Sequence, residues 1–354
     1  MRFSAVVSEA KRDVVSGTAR VVVGFFCLAV LGLVLGLADL LTVDGLQRQA
    51  ADFVAAGAAT RGIAVPGSID GGACDGLAKV STVQASGAVA SGEPLHLLAM
   101  PTVALQTYRV TPGFAAVVGI DDPLPGGVWL DDGLAGVLGA HVGDRLATAA
   151  GTMTVGGIFA WPQDGRDQRL SFAVLLPQPA AGLFDECWLK AWPVVDANDI
   201  LLRATQVTTP GASPALIAQI NKTLGVSLDA NRLFLTRVTR WAAPVLLLIG
   251  LALGFAMARV RRLEYASTLH AGQAKSDQLL TCALETLVWI LPATLVALAG
   301  LWATARVLAI QDAVGVVAIA ARGPLLAAAG ALIGALAACA SAREKHLFQL
   351  FKNR

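Results

Sequence analysis

The polar segment RRLEYASTLHAGQAKSD, residues 261–277, separates two long apolar runs of the chain. VLLLIGLALGFAMA precedes it and LLTCALETLVWILPATLVALAGLWATA follows it. About 20 mostly apolar residues in a helix cross the hydrocarbon core of a bilayer, and each run approaches or exceeds that length. The segment is therefore predicted to connect two membrane helices.

The composition of the whole chain agrees with a membrane protein. Its 354 residues are 55% hydrophobic and 15% charged, with a mean hydropathy of +0.64. Runs of spanning length predict four membrane helices, at residues 21–41, 241–258, 278–305 and 323–342. The alternative for the first run is a signal peptide, but the run is long for one and no small-x-small cleavage site follows it. An uncleaved span is favoured.

The distribution of charge predicts the orientation. Residues 1–20, 259–277 and 343–354 together hold twelve Lys or Arg and five Asp or Glu, whereas residues 44–232 hold eleven and seventeen. Because basic residues accumulate on the cytoplasmic side, both termini and residues 259–277 are predicted to lie in the cytoplasm, with the protein in the cytoplasmic membrane. Residues 1–20 are predicted to form an amphipathic helix, and residues 343–354 a cytoplasmic tail. No nucleic-acid role follows from the overall charge of +2.

Residues 42–240 are long enough for a domain with its own core, which would lie outside the cytoplasm. Asp131 and Asp132 are predicted to begin a short helix, and two strands are predicted to join near Gly151. A further strand, RLSFAVLLP, ends at Pro177. The mixture of elements predicts an α+β fold.

Near the end of this domain the sequence predicts another helix. Ser213 would cap it, Pro214 would stand in its first turn, and Gly225 would end it.

Five cysteines divide into two groups. Cys27, Cys282 and Cys339 lie within predicted spans and read as small packing residues. Cys74 and Cys187 lie in the outer domain, where oxidising conditions favour a disulfide. The alternative is two unpaired cysteines, since the sequence does not give the distance between them.

Charged residues within or beside the spans are costly and therefore informative. Four lie near the predicted outer ends: Asp39, Arg237, Arg240 and Arg306. They would form an ion-pair cluster above the membrane, or each would extend separately to the interface. Near the inner end, Glu285 is predicted to pair with Lys11 or Arg12.

No enzymatic constellation is recognisable. INKTLG supplies Lys-Thr without the glycine frame of a GxxxxGKS/T phosphate loop. The serines lack a GxSxG context, and LDDGLAG lacks the ligand spacing of a calcium loop. The histidines show no metal-ligand spacing: His96, His141, His270 and His346. The chain is predicted to be neither an enzyme nor a metal or cofactor protein.

Within the opening segment, the run has a helical phase through Leu263 and Leu269, Gly272 can end that helix, and Ser276 can cap the next. The segment is therefore predicted to hold a short helix at the inner membrane surface. The alternative is a solvated basic loop that only fixes topology.

The segment resembles the cytoplasmic loop of MacB/FtsX-type ABC transporter permeases, the membrane subunits of the type VII superfamily. The residues that carry this likeness are Arg261, Arg262 and Glu264, then Ala271 and Gly272, then Ser276 to Leu280, and Glu285. Tyr265 and Ala266 replace the Ile-Gly of the family pattern. A weaker likeness in the outer domain involves Leu138, Gly139, Gly143 and Asp144.

The resemblance implies that residues 259–277 contain a coupling helix that docks a soluble ATPase. The implied docking residues are Arg262, Leu263, Glu264, Leu269 and Gly272. It further implies two ATPase subunits that bind ATP and Mg²⁺, and a second permease copy, identical or paralogous. The outer domain would divide into a base, residues 45–111 and 196–231, and an inserted lobe, residues 112–195, and residues 306–322 would form an outer loop.

Two functions agree with this resemblance. One is a permease whose outer domain expels or extracts a substrate when the ATPase acts. The other is an FtsX-like regulator that transmits motion to an extracytoplasmic cell-wall hydrolase or lipoprotein without moving a solute. The size of the outer domain favours transport. A third class is a receptor without an ATPase, and the sequence does not name a substrate.

Overall fold

The structure is a computed structural model that describes residues 3–149, 151–207 and 214–342. The chain divides into a helical unit, Met1–Gln47 with Asn231–Arg354, and a sheet domain, Arg48–Ala230. In chain order the helices are α1 Phe3–Val15, α2 Val21–Ala55, α3 Gly71–Gly76, α4 Phe114–Val118, α5 Asp132–Leu138, α6 Ala197–Arg203, α7 Ala230–Thr236, α8 Ala242–Val260, α9 Arg262–His270, α10 Lys275–Val307, α11 Ala313–Ala320 and α12 Arg322–Ser341. The strands are β1 Thr60–Asp70, β2 Val83–Ser91, β3 Leu95–Leu97, β4 Met100–Leu105, β5 Thr107–Val110, β6 Val128–Asp131, β7 Arg145–Thr148, β8 Gly151–Phe159, β9 Val174–Pro177, β10 Leu183–Ala191 and β11 Leu216–Gln219.

Among the residues that the structure describes, four helical segments are long and apolar enough to cross a membrane: Val21–Ala55, Val238–Val260, Lys275–Val307 and Ala313–Ser341. The predicted fold class is therefore confirmed, with four spans and a large mixed-sheet domain between the first and the second. Helix α2 has 35 residues, which at 1.5 Å per residue is about 50 Å and exceeds the hydrocarbon thickness.

Within the predicted outer loop, residues 306–322, the structure forms a short helix, α11 at Ala313–Ala320, and the place of this segment outside the membrane stays a prediction. The apolar sequence AVGVVAIA is helical, and Asp312 caps it by accepting a hydrogen bond from the Gly315 backbone N at 3.0 Å. This cap is a local signal for the start of α11.

Small residues allow α8 and α12 to approach closely. A Cβ atom on Gly250 or Gly254 would overlap the backbone of Ala327 or Ala331 on α12. Conversely, a Cβ on Gly330 or Gly334 would overlap the backbone of α8. Both helices therefore present a Gly-x-x-x-Gly pair, a pattern that brings membrane helices into backbone contact.

Over its described residues, the sheet domain has eleven strands in the order β11-β1-β10-β2-β5-β9-β6-β8-β7-β3-β4. Most neighbouring strands are antiparallel, whereas β5 with β9 and β6 with β8 run parallel. Strand β7 turns back into β8 at Thr148 and Gly151, as the sequence predicts. Helix α5 starts where predicted, but Asp131 makes no capping hydrogen bond to it and accepts one from the Phe172 backbone N at 3.0 Å.

The predicted helix after residue 213 is wrong. Ser213 lies outside the described residues, and Leu216–Gln219 form β11, which pairs antiparallel with Arg61–Ala64 of β1. Pairing with this strand satisfies backbone groups that an exposed sheet edge leaves open, and such tertiary contacts override helix propensity. Gly225 has a φ of +89° and lies in a turn.

Cys74 of α3 and Cys187 of β10 form a disulfide, with Cα atoms 5.8 Å apart. Both residues are fully buried in a core with Ile63, Phe184 and Leu189. The bridge joins positions separated by 113 residues and thereby ties α3 to the sheet.

The division of this domain into a base and an inserted lobe stays a prediction. Strand β10, assigned to the lobe, pairs with β1 and β2 of the base.

Candidate functional site

The candidate site is built around Arg261, the residue between α8 and α9. Helix α8 ends at Val260, and Arg261 leaves the ideal helical conformation with φ −91° and ψ 12°. The chain thereby changes direction, and α9 begins at Arg262. Despite its charge, Arg261 is 8% exposed.

Three carboxylates from three different helices surround the Arg261 guanidinium. Its Nε donates to Glu264 Oε2 of α9 at 2.7 Å, and its Nη2 donates to Asp13 Oδ2 of α1 at 2.6 Å. Its Nη1 donates to Glu285 of α10. One side chain therefore links α1, α9 and α10, and we call this set of four residues the Arg261 cluster.

The electrostatics of the Arg261 cluster follow from burial and pairing. Burial lowers the pKa of Arg261, but the acidic groups around it outweigh burial, so its pKa lies above the ordinary value. The Arg261 guanidinium also lies over the Tyr265 ring, 5.3 Å from its centroid. Burial raises the pKa of Tyr265, which keeps that phenol neutral. A buried charge of this kind is strongly destabilising when its partners are removed.

Polar side chains at the start of α10 fasten α9 and α12. Gln278 is buried, and its Nε2 donates to the Tyr265 carbonyl at 2.7 Å and to Thr268 Oγ1 at 3.1 Å. Lys275 Nζ donates to the carbonyls of Cys339 and Ala342 at 3.0 and 2.8 Å, which satisfies the C-terminal end of α12. Together with the Arg261 cluster, these bonds hold α9 against the helical unit.

The predicted docking residues do not share one exposed face. Arg262, Glu264 and Gly272 are exposed, whereas Leu263 and Leu269 are half-buried. Glu264 is also engaged by Arg261. Their role in docking stays a prediction.

The predicted boundaries of the loop helices are partly confirmed. Gly272 has a φ of +89° just after α9, the left-handed conformation proposed for the helix end. The predicted cap at Ser276 is wrong, because α10 already begins at Lys275 and Ala274 stands at its cap position.

At the other end of the spans, the structure forms only part of the predicted ion-pair cluster. Arg237 Nε lies 3.1 Å from Asp39 Oδ1, and both side chains are 10% exposed. Arg240 instead donates to the Leu235 carbonyl and lies over the Trp241 ring. Arg306 lies over the Trp302 ring at 4.7 Å. The four-residue cluster is thus wrong as predicted, and one buried pair, Asp39 with Arg237, takes its place.

Sequence reasoning missed the central role of Arg261. It paired Glu285 with Lys11 or Arg12, whereas the structure pairs it with Arg261. The sequence contained two clues to the partners of Arg261. Glu264 follows it by one helical turn, and Glu285 is a charged residue inside an apolar run. The contact with Asp13 had no signal in the sequence, because it depends on how α1 packs.

A cavity of about 270 Å³ adjoins the Arg261 cluster. Its walls come from α1, α9 and α10 and include Glu9, Asp13, Glu264 and Glu285. Glu285 is 4% exposed, and its Oε1 has no hydrogen-bond partner within the part of the chain that the structure describes. No group of three or more metal-binding side chains occurs among those same residues.

Comparison with solved structures finds likenesses that cover part of the chain. The chain is similar to the periplasmic region of MacB from Actinobacillus actinomycetemcomitans, with 14% identity and a TM-score of 0.34, over 46% of this chain and 89% of that one. It is also similar to the extracellular domain of the noncanonic ABC-type transporter YknZ from Gram-positive bacteria, with 12% identity and a TM-score of 0.28, over 40% of this chain and 88% of that one. No protein-family model matches the chain, and no curated protein matches it.

Proposed function

We propose that this chain is the membrane subunit of an ABC-type transporter. In this proposal a separate ATPase binds ATP and Mg²⁺ and docks on α9, and the membrane helices carry the resulting movement to the sheet domain. The chain has the elements that such a role needs: four apolar spans, a polar helix between the second and third spans, and a folded domain between the first and second.

The observation that carries the proposal is the Arg261 cluster. A surface helix transmits force only when it is firmly attached to the elements that must move. Helix α9 is attached to α1 by Asp13 and to α10 by Glu285, through one buried guanidinium. A partner that displaces α9 would therefore displace both helices, since separating them would leave buried charges unpaired.

The orientation belongs to the same proposal. The basic excess of residues 1–20, 259–277 and 343–354 supports placing α9 in the cytoplasm, where ATP is available. A disulfide between Cys74 and Cys187 suits a domain in an oxidising compartment on the other side. A reporter inserted near Gly165 is expected outside and one after Arg354 inside, and the reverse pattern would contradict this orientation.

The direct experiment is purification of the tagged chain from native membranes in mild detergent, with proteins identified by mass spectrometry. We expect an ATPase containing a phosphate-binding loop to co-purify, with two copies for every two permease chains. We also expect its hydrolysis rate to change when the permease is reconstituted in lipid. Purification without any ATPase would favour the receptor alternative and reject the proposal.

Transport and mechanical regulation both need movement of the ATPase to pass through α9 to the membrane helices. We favour transport because the sheet domain is large. The two differ in what the sheet domain contacts. A regulator should bind an extracytoplasmic hydrolase or lipoprotein during the ATP cycle, whereas a transporter should change the distribution of a solute or lipid-linked molecule. Capture of a stoichiometric hydrolase by the sheet domain would favour regulation.

A further inference from the structure

Acidic side chains outnumber basic ones on the walls of the cavity beside the Arg261 cluster. Four carboxylates line it, from Glu9, Asp13, Glu264 and Glu285, against the single guanidinium of Arg261. Arg261 already shares its donors among three of them. Glu9 is engaged differently, since its Oε2 accepts a bond from Gln273 Nε2 at 3.4 Å. The carboxylates on the cavity wall can therefore accept hydrogen bonds from a further cation.

Glu285 supplies a particular acceptor atom for such a cation. Its side chain is 5% exposed, and while Oε2 contacts Arg261, Oε1 meets no donor within the described part of the chain. A buried carboxylate oxygen without a donor costs the full desolvation of that atom. A donor that entered the cavity would remove this cost, and a positively charged donor would also offset the excess charge.

We propose that the cavity receives a basic side chain, a lysine or arginine, carried by the ATPase subunit that docks on α9. The inference rests on the proposed function and adds the chemistry of the partner. The cavity reaches the surface beside α9, where Glu264 is 51% exposed on its wall. The cation would donate to Glu285 Oε1 and approach Glu9, so binding of the partner would neutralise the cavity.

A long basic side chain suits this cavity better than a divalent metal ion. A metal needs several ligand atoms converging at short range, and no such group exists among residues 3–149, 151–207 and 214–342. A volume of about 270 Å³ instead has room for a side-chain end group with its alkyl stem. Docking would then depend on charge at the cavity as well as on contact with the exposed face of α9.

The test uses the full chain in lipid nanodiscs and the ATPase that co-purifies with it. Glu9→Gln removes one cavity charge, keeps the side-chain size, and leaves the partners of Arg261 untouched. We expect it to weaken ATPase binding roughly tenfold at low salt, which corresponds to about 1.4 kcal/mol. Lys11→Gln changes an exposed charge on the same helix and is the control. It should bind at least as tightly as the unaltered chain.

A second measurement identifies the cation. At equal ionic strength, n-butylammonium or n-butylguanidinium should compete with binding more strongly than sodium, and the stronger competitor of the two identifies the cation as a lysine or an arginine. If the ATPase binds the Glu9→Gln variant as tightly as the unaltered chain, or if sodium competes equally well, the inference is wrong while the proposed function stands. If no ATPase binds the unaltered chain, both fail.

Discussion

The Nη2 atom of Arg261 lies 2.6 Å from Oδ2 of Asp13, a residue 248 positions earlier in the chain. This contact joins the N-terminal helix α1 to the junction of α8 and α9. Asp13 is 29% exposed in its side chain, whereas Arg261 is 9% exposed, so the pair runs from the surface of the helical unit into its interior. This ion pair thus ties the N-terminal helix to the start of the proposed docking helix.

The first prediction concerns the stability that Arg261 provides. Arg261→Gln would leave Glu285 and Asp13 without their shared cation, and loss of one partner from a buried pair commonly costs about 3–5 kcal/mol. We expect a clearly lower midpoint of thermal unfolding in detergent, followed by a thiol-reactive dye at the buried residues Cys282 and Cys339.

Arg262→Gln is the matched control, because Arg262 is the adjacent arginine and is exposed. Exposed substitutions usually change stability by about 0.5 kcal/mol or less. Equal unfolding midpoints for the two variants would contradict the structural role of the Arg261 cluster.

The second prediction concerns the disulfide. Protease cleavage in the exposed turn around Gly165, between Cys74 and Cys187, should give fragments that remain joined on non-reducing electrophoresis and separate after reduction. Reduction should also lower the stability of the sheet domain by about 2–5 kcal/mol. A Cys74→Ser variant should separate without reductant, and separation of the unaltered chain under the same conditions would refute the bridge.

The third prediction concerns Asp39 and Arg237. Because both side chains are 10% exposed, Asp39→Asn should leave Arg237 with an uncompensated charge and lower the unfolding midpoint. The double variant Asp39→Asn with Arg237→Gln should lose less than the sum of the single losses, since the two residues interact directly. Arg306→Gln, at a residue that lies over Trp302, should behave additively with Asp39→Asn. Additive losses for the Asp39 and Arg237 changes would show that the pair does not interact.

The fourth prediction concerns the contact of α8 with α12. Gly254→Val would place side-chain atoms in the backbone of Ala331, and overpacking typically costs about 1–3 kcal/mol. Gly45→Ala is the control, since a Cβ there meets nothing within 4 Å and alanine favours the helix. We expect the first variant to unfold at a lower temperature and the second to be unchanged or more stable. A neutral Gly254→Val would mean that the helices are farther apart than the structure places them.

The sequence predicted the features that depend on local patterns. Long apolar runs located the spans, and Gly272 marked the end of α9 through its conformational freedom. The sequence failed where distant contacts decide the structure. Residues 216–219 carry a helix-compatible sequence but form a strand because β1 offers them a partner, and Glu285 pairs with Arg261 because tertiary packing brings the residue after α8 against α10. Neither outcome follows from spacing along the chain.

Docking of an ATPase on α9 is tested best at residues that point away from the helical unit. Leu263 and Leu269 are half-buried, so Leu263→Asp with Leu269→Asp would disturb packing as well as any interface. Arg262 and Ala271 are exposed, and the double variant Arg262→Glu with Ala271→Trp reverses a charge and adds bulk without altering the Arg261 cluster.

The decisive measurement is the affinity of the co-purifying ATPase for this double variant in nanodiscs. We expect a loss of roughly tenfold or more, since hot-spot positions in interfaces commonly contribute about 2 kcal/mol or more. The unfolding midpoint should be unchanged, and Val238→Trp, at an 86% exposed position beyond the opposite end of α8, should bind normally. Unchanged affinity of the ATPase for the double variant would contradict docking on α9.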